Sequence, residues 1–275
     1  MFGTAILAVP GKMKNVQFNV ICIGAGGTGG NFAKEFARYA SMLDPSKYDI
    51  SFSLVDGDYI EESNISRQPY MLDDISKNKA VTLVEAIQDV FNFEKIFAYP
   101  EYISSKEDVI NIINSNFDFA FYNKKRVVVL VGCVDNHATR IILEEVFFSR
   151  DNIIYIDSAN EYSVGEICIA VKLNGQTMAP PRSFYFPEIL TADSPSPAMS
   201  CSALNTSSPQ HIATNLMAAH LLLSIVSNVI SNGKVQGGVL YFDAFKYFSR
   251  FIPFEEIKAA AERKDGVVKN EKSNI

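Results

Sequence analysis

A run of glycines between an apolar segment and a segment of helical periodicity constrains this chain more than any other feature. The run consists of Gly24, Ala25, Gly26, Gly27, Thr28, Gly29 and Gly30. Val16–Ile23, just before it, is apolar and rich in β-branched residues, which predicts a buried strand. Residues 31–40, just after it, have apolar side chains at helical spacing. A strand, a glycine turn and a helix in this order bring backbone N–H groups and a helix N-terminus close to a phosphate.

Strands and helices continue to alternate after this unit. Further strands are predicted at residues 50–55, 95–99, 126–131 and 153–156. Further helices are predicted at residues 79–91, 105–114 and 136–148. Alternation of this kind is typical of βαβ units, so we expect an α/β fold with a Rossmann-like, doubly wound and mostly parallel sheet.

The pattern changes after about residue 158 and predicts an antiparallel C-terminal extension. The expected elements are a strand at residues 164–173, a Pro- and Ser-rich loop at 174–208, a long helix at 209–231 and a hairpin at 237–251. We therefore expect one domain over residues 1–255, followed by a charged tail at 256–275. Within it, residues 16–158 are the nucleotide-binding core, 174–208 a crossover loop, and 209–254 the C-terminal helix and strands.

Composition and charge exclude several classes of protein. A net charge of −6 argues against broad binding to nucleic acid or to acidic membranes. The short apolar run at the N-terminus reads as a strand, and the apolar stretch around residues 216–230 as a buried helix, so no membrane span is expected. The cysteines are Cys22, Cys133, Cys168 and Cys201, and none forms a CxxC pair, so we expect no zinc. A cytoplasmic protein with reduced thiols is expected.

Two polar motifs follow the glycine run. Residues 56–68 read DGDYIEESNISRQ, Lys79 follows, and residues 133–140 read CVDNHATR. With the glycine run, they resemble the adenylyltransferase superfamily of ThiF, MoeB, HesA and the ubiquitin-activating enzymes, whose pattern is GxGGxG, DxDxxxxSNLxRQ, a lysine and xxDNxxxR. In size and in its Ser-Cys-Ser segment the chain is similar to the ThiF-type group encoded in PRTRC gene clusters. The resemblance implies an ATP-dependent adenylyltransferase.

The resemblance also implies a set of site residues. ATP would be bound by Gly24, Gly26, Gly27, Gly29, Asp56, Asp58, Asn64, Arg67, Gln68, Lys79, Asp135 and Asn136. Asp56 would hold the ribose, Asn64, Arg67 and Lys79 the phosphates, and Asp135 a Mg²⁺ ion. These residue types suit the ligand, because arginine and lysine neutralise a triphosphate and a carboxylate suits Mg²⁺. Lys77 competes with Lys79 for the lysine role, since the family spacing differs here by one residue.

The catalytic residues implied are Arg67, Lys79, Asp135 and Cys201. The reaction would be attack of a C-terminal carboxylate on the α-phosphorus, which needs no protein nucleophile. In several relatives a cysteine in the crossover loop then takes the acyl group as a thioester. Cys201 lies in that segment before the long helix. It is therefore either a nucleophile or a structural cysteine.

The implied partners are a ubiquitin-like or sulfur-carrier protein as substrate and a second copy of the chain in a homodimer, with the helix around residues 216–230 as a contact surface. Two alternatives stay open. One is an NAD(P)-dependent Rossmann oxidoreductase that uses the same glycine turn. The other is the non-catalytic scaffold half of a heterodimeric activating enzyme.

Overall fold

The computed structural model describes residues 4–7, 15–116, 124–191 and 210–272. The strands are β1 (Thr4–Ile6), β2 (Val16–Ile23), β3 (Asp49–Val55), β4 (Ile96–Tyr99), β5 (Lys125–Gly132), β6 (Ile153–Asn160), β7 (Val164–Leu173), β8 (Gln176–Ala179), β9 (Lys234–Gln236), β10 (Gly238–Asp243) and β11 (Phe248–Pro253). The helices are α1 (Gly27–Ser41), α2 (Lys79–Val90), α3 (Lys106–Ser115), α4 (His137–Ser149), α5 (Arg182–Tyr185), α6 (Ile212–Asn232) and α7 (Phe254–Lys272). Short 3₁₀ turns lie at Glu62–Asn64, Leu72–Asp74 and Pro187–Leu190.

A nine-stranded sheet forms the centre of the fold, in the order β11-β10-β7-β6-β5-β2-β3-β4, with β8 paired to β7. Strands β6, β5, β2, β3 and β4 are parallel. Strands β7, β10 and β11 extend the sheet antiparallel, and β1 pairs separately with β9. The predicted fold class, a Rossmann-like parallel sheet with an antiparallel C-terminal extension, is confirmed.

The chain order reverses between β2 and β5. From β2 the chain runs outward through β3 and β4, and it returns to pair β5 with the other edge of β2. In open α/β sheets the carboxyl ends of the two strands at such a reversal border a crevice that binds ligands. The glycine turn follows β2, and Cys133 follows β5. The glycine turn and the motif at residues 133–140 are therefore brought to this crevice, and the motif at residues 56–68 follows the neighbouring strand β3.

Helices cover both faces of the sheet. Apolar residues of α1, α2 and α6 pack on one face, and those of α3 and α4 pack on the other. Helix α6 is the segment of the described chain that has the length and apolar composition to cross a membrane. One side of it is buried, and Tyr39 of α1 hydrogen-bonds Ser231 at 2.6 Å. The prediction of a packed helix here is confirmed.

Two boundaries differ from the predictions. Helix α1 begins at Gly27 rather than at residue 31, because the glycines form its first turn. The predicted loop at residues 174–208 is wrong in its first part, which contains β8, α5 and the turn Pro187–Leu190. Asn174 and Gly175 both have positive φ and turn the chain from β7 into β8, as an Asn-Gly pair favours. Residues 192–209, with Cys201, lie outside the described residues.

Aromatic rings join α1 to the sheet. Phe36 is fully buried, and its ring centroid lies 5.0 Å from that of Phe52 on β3 and 5.6 Å from that of Phe32. These contacts hold the helix that starts at the glycine turn against the strand that leads to Asp56. The position of the turn therefore depends on this packing.

We predict that Phe36→Ala lowers the free energy of unfolding by about 3–5 kcal/mol, because it removes a buried ring and leaves a cavity. Urea denaturation monitored by circular dichroism measures this change. The control is Val90→Ala, at a side chain that is 71% exposed, which should stay within about 0.5 kcal/mol of the wild type. Equal losses in the two variants would contradict the role assigned to Phe36.

Candidate functional site

A cavity of about 510 Å³ opens at the carboxyl ends of the parallel strands. Its walls come from the glycine turn, the end of β3, the segment after β4, the β5–α4 connection and the end of β6. The predicted site residues that line it are Gly24, Gly26, Gly27, Asp56, Asp58, Arg67, Gln68, Lys79, Asp135 and Asn136. Gly29, Asn64 and Lys77 are not among the lining residues.

The glycine turn needs glycine at two places. Gly24 has a φ of +98°, and a methyl group on it would lie 2.5 Å from the carbonyl oxygen of Cys133. A methyl group on Gly29 would overlap the carbonyl oxygen of Gly24. Gly29 therefore lets α1 pack closely on the turn, and its predicted contact with the nucleotide stays a prediction.

Asp56 supports the turn from the end of β3. Its carboxylate accepts hydrogen bonds from the backbone N–H groups of Ala25, at 2.6 Å, and Asp58, at 2.8 Å. Burial raises the pKa of Asp56 to about 6, against the opposing attraction of Lys79. Asp56 therefore changes charge close to neutral pH while it lines the cavity.

Lys79 is buried at the start of α2. Its Nζ lies 2.8 Å from Oδ2 of Asp58, and the hydroxyl of Tyr102 donates to Oδ1 of Asp58 at 2.7 Å. Lys77, in contrast, pairs with Asp74 on the surface at 3.1 Å. The geometry thus brings Lys79 and not Lys77 to the cavity.

Arg67 and Gln68 face the cavity from the loop after β3. The guanidinium of Arg67 makes no hydrogen bond or ion pair with any of the described residues, and it is half-buried. Oε1 of Gln68 is buried and likewise has no partner in the described part of the chain. Both side chains have free hydrogen-bonding capacity for a ligand.

Asn64 lies in the loop before Arg67, and its predicted contact with the phosphates stays a prediction. Its side chain is buried, and Oδ1 accepts a hydrogen bond from the backbone N–H of Glu61 at 3.1 Å. It closes the 3₁₀ turn that precedes Arg67. Asn64 therefore shapes the loop, and the structure does not bring it to the cavity.

Asp135 and Asn136 lie where β5 passes into α4. Asp135 is exposed to the cavity. Asn136 caps α4, because its Oδ1 accepts from the backbone N–H of Thr139 at 2.8 Å. The described residues contain no group of three or more His, Cys, Asp or Glu side chains that would hold a metal ion by themselves.

Sequence reasoning missed a buried ionic cluster beside the cavity. Asp157 of β6 is fully buried and pairs with Arg140, at 3.4 Å, and with Nε of Arg182. Arg182 also binds Glu166 at 2.6 Å. Burial and Arg140 lower the pKa of His137 at the same edge. The sequence signal for this cluster was an aspartate directly after the apolar residues 153–156. The ion pairs of the cluster connect α4, β6 and α5.

The cysteines differ in their surroundings. Cys22 and Cys168 are buried, whereas Cys133 is half-buried and lines the cavity. A hydrogen bond with Cys133 and burial raise the pKa of Cys22 well above its ordinary value. Cys201 lies outside the described residues.

Comparison with known proteins agrees with this geometry. Over 140 residues the chain is 27% identical to the adenylyltransferase and sulfurtransferase uba4 of Aspergillus niger. The aligned segment covers 50% of this chain and 25% of that protein. Among solved structures, PaaA has a TM-score of 0.59 at 16% identity, covering 88% of this chain and 65% of that one. MccB of E. coli with ATP has a TM-score of 0.59 at 14% identity, and the match covers 88% of this chain and 64% of that one.

The two solved structures share the fold at low identity. The chain spans a quarter of uba4 and slightly less than two thirds of PaaA. The sequence model of the ThiF family matches residues 4–267, which is nearly the whole chain. The resemblance inferred from the motifs is therefore confirmed, and the chain belongs to the ThiF family.

Proposed function

We propose that this protein is an ATP-dependent adenylyltransferase that activates the C-terminal carboxylate of a ubiquitin-like or sulfur-carrier protein as an acyl-adenylate. The observation that carries the proposal is the convergence of Gly26, Asp56, Arg67 and Asp135, from four separate segments, on one cavity. Membership of the ThiF family supports it.

The nucleotide would lie with its ribose at Asp56 and its phosphates at the glycine turn. A carboxylate accepts hydrogen bonds from ribose hydroxyls, and Asp56 lines the cavity at the end of β3. The first N–H groups of α1 have no partner within the helix and carry partial positive charge. They would meet the phosphates at Gly26 and Gly27, beside the guanidinium of Arg67.

Lys79 would act on the phosphates from within an ion pair. Its ammonium group already pairs with Asp58. A phosphate that approaches Lys79 therefore competes with this carboxylate, or it adds to the pair from the cavity side. In either arrangement the lysine supplies a positive charge close to the departing pyrophosphate.

Asp135 suits a magnesium ion that arrives with the nucleotide. Mg²⁺ usually keeps several waters and is bound by one or two carboxylates together with phosphate oxygens, so a single exposed carboxylate is a sufficient protein donor. The ion would neutralise phosphate charge. Asp135 is the lining residue after β5 that would hold it.

The reaction needs positioning and charge neutralisation rather than a protein nucleophile. A carboxylate oxygen of the substrate forms a bond to the α-phosphorus, and the bond from that phosphorus to the bridging oxygen breaks, with pyrophosphate leaving. No proton is transferred in this step. Arg67, Lys79 and the helix N-terminus would stabilise the negative charge that builds up on the departing pyrophosphate.

The substrate class is supported by named relatives. The relative uba4 is described as an adenylyltransferase and sulfurtransferase, and MccB has been crystallised with N-formylated MccA. We propose a protein tail as the substrate here, with a peptide as the alternative outcome. Exchange assays with Gly-Gly-ending carrier proteins and with short peptides distinguish the two.

A homodimer is part of the proposal. Leu216, Leu223 and Ile225 of α6 are apolar side chains that remain half-exposed, although Leu223 and Ile225 also pack against the core. A second copy of the chain would bury them. Sedimentation equilibrium of the wild type and of Leu223→Glu tests this contact, which a monomeric wild type would contradict.

We predict that Asp135→Ala abolishes ATP–pyrophosphate exchange with a Gly-Gly-ending partner, whereas Cys201→Ala leaves exchange intact. The reason is that exchange needs the ion held by Asp135 but no protein nucleophile. A scaffold subunit would give no exchange in the wild type. Exchange at the wild-type rate in Asp135→Ala would contradict the site. An adduct sensitive to thiol reagents and lost in Cys201→Ala, detected by mass spectrometry, tests the proposed thioester.

We predict that Arg67→Ala removes most of the stabilisation by ATP against thermal unfolding, because the phosphate site loses a cation that has no partner among the described residues. Thermal unfolding with and without ATP and Mg²⁺ measures this. Lys77→Ala is the matched control, since Lys77 is a surface cation outside the cavity. An oxidoreductase would be stabilised by NAD(H) instead.

We predict that ATP affinity decreases as the pH falls through about 6, the pKa of Asp56. The ribose hydroxyls donate to the ionised carboxylate, so binding is full above this pKa and is lost as the group takes up a proton. Calorimetric titration of the wild type and of Asp56→Asn at several pH values measures this. Phosphate protonation affects both proteins alike, so identical pH profiles would refute the role of Asp56.

A further inference from the structure

The cavity is longer than the predicted nucleotide-binding residues require. Asp56 follows β3, and the opposite wall is formed by the end of β6. In the order β3-β2-β5-β6, these walls are three strand intervals apart, or about 14 Å at about 4.8 Å per interval. If the ribose lies at Asp56 and the phosphates lie at the turn after β2, the wall at β6 faces the substrate group that reacts with the α-phosphate.

Ser158 lies in this wall, and its hydroxyl has no partner in the described part of the chain. It lines the cavity, its residue is 3% exposed, and its Oγ has no hydrogen-bond partner among the described residues. A buried hydroxyl without a partner destabilises a protein, and such groups in native structures often mark a ligand contact. The hydroxyl can donate one hydrogen bond and accept others.

Neighbouring amide groups fix Ser158 relative to the glycine turn. Nδ2 of Asn160 donates to Oδ1 of Asn215 at 2.8 Å, and Oγ1 of Thr28 donates to Oδ1 of Asn160 at 3.1 Å. Thr28 belongs to the first turn of α1. These bonds hold the end of β6 at a set distance from the helix N-terminus, where the phosphates are expected.

The charged groups nearby are unsuited to a carboxylate ligand. Arg140 and Arg182 are committed to Asp157, and Glu161 and Glu166 are acidic residues of the same wall. A neutral hydroxyl donor orients a carboxylate through one oxygen without cancelling its charge. The other oxygen keeps the electron density that it needs to attack phosphorus.

We propose that the hydroxyl of Ser158 donates a hydrogen bond to the non-attacking oxygen of the substrate's C-terminal carboxylate. The inference rests on the proposed adenylyltransferase activity. The same oxygen becomes the carbonyl oxygen of the acyl-adenylate and keeps this bond. Ser158 forms no covalent bond and takes up no proton. This contact favours a small C-terminal residue that can bring its carboxylate to a buried hydroxyl in the wall at β6.

The test uses two stable probes. Glycyl sulfamoyladenosine resembles an acyl-adenylate, and sulfamoyladenosine lacks the acyl group. Calorimetry with the full chain should give tighter binding of the glycyl probe by the wild type. Ser158→Ala should lose about tenfold in affinity for the glycyl probe, as expected for one hydrogen bond, and should bind sulfamoyladenosine and ATP as the wild type does.

A matched variant separates binding from structure. Ser51 of β3 also has a buried hydroxyl without a described partner, at 4% exposure, but it does not line the cavity. Ser51→Ala should leave both probe affinities unchanged. Neither variant should have a lower Tm than the wild type, because each removes an unsatisfied polar group.

The outcomes distinguish this inference from the proposed function. A wild type that binds neither ATP nor the probes would overturn the adenylyltransferase proposal. A wild type that binds ATP but has equal affinity for the two probes would overturn the role of Ser158 alone. Unchanged preference for the glycyl probe in Ser158→Ala, or a loss of the same size in Ser51→Ala, would do so as well.

Discussion

The close passage of the glycine turn over the end of β5 is the constraint on which the rest of the site depends. Gly24 has a left-handed backbone, and a methyl group on it would lie 2.5 Å from the carbonyl oxygen of Cys133, so the turn after β2 passes the end of β5 too closely for a side chain. This approach lets α1 begin immediately and direct its N-terminus into the crevice. Asp56 reinforces the turn through Ala25, and every other cavity residue is placed around this point.

Much of the architecture followed from periodicity, because apolar patterns report burial directly. The strand Val16–Ile23 was found at the predicted residues, and the helix predicted at residues 105–114 was found at Lys106–Ser115. The hairpin into β8 was missed, since its Asn-Gly turn lies in a stretch whose Pro and Ser content favoured a loop. The prediction there relied on the composition of the whole stretch and overlooked the Asn-Gly pair.

The candidate site was predicted in its residue types but less well in its contacts. The motifs correctly predicted that Arg67, Lys79 and Asp135 share one cavity. They do not distinguish residues that line the cavity from residues that support its walls. Asn64 closes a turn, and Gly29 permits helix packing. The cluster around Asp157 depends on Arg182, distant in sequence and without a recognised motif, so only the folded chain reveals it.

The buried pair of Lys79 and Asp58 also limits how this sequence can drift over evolutionary time. Loss of either partner breaks a buried ion pair, at a cost of about 3–5 kcal/mol, against a total stability of about 5–15 kcal/mol for a typical protein. An intermediate with only one of the two changed would be close to unfolding. The two positions are therefore expected to be inherited together or exchanged together, which gives a covariation signature for this branch of the family.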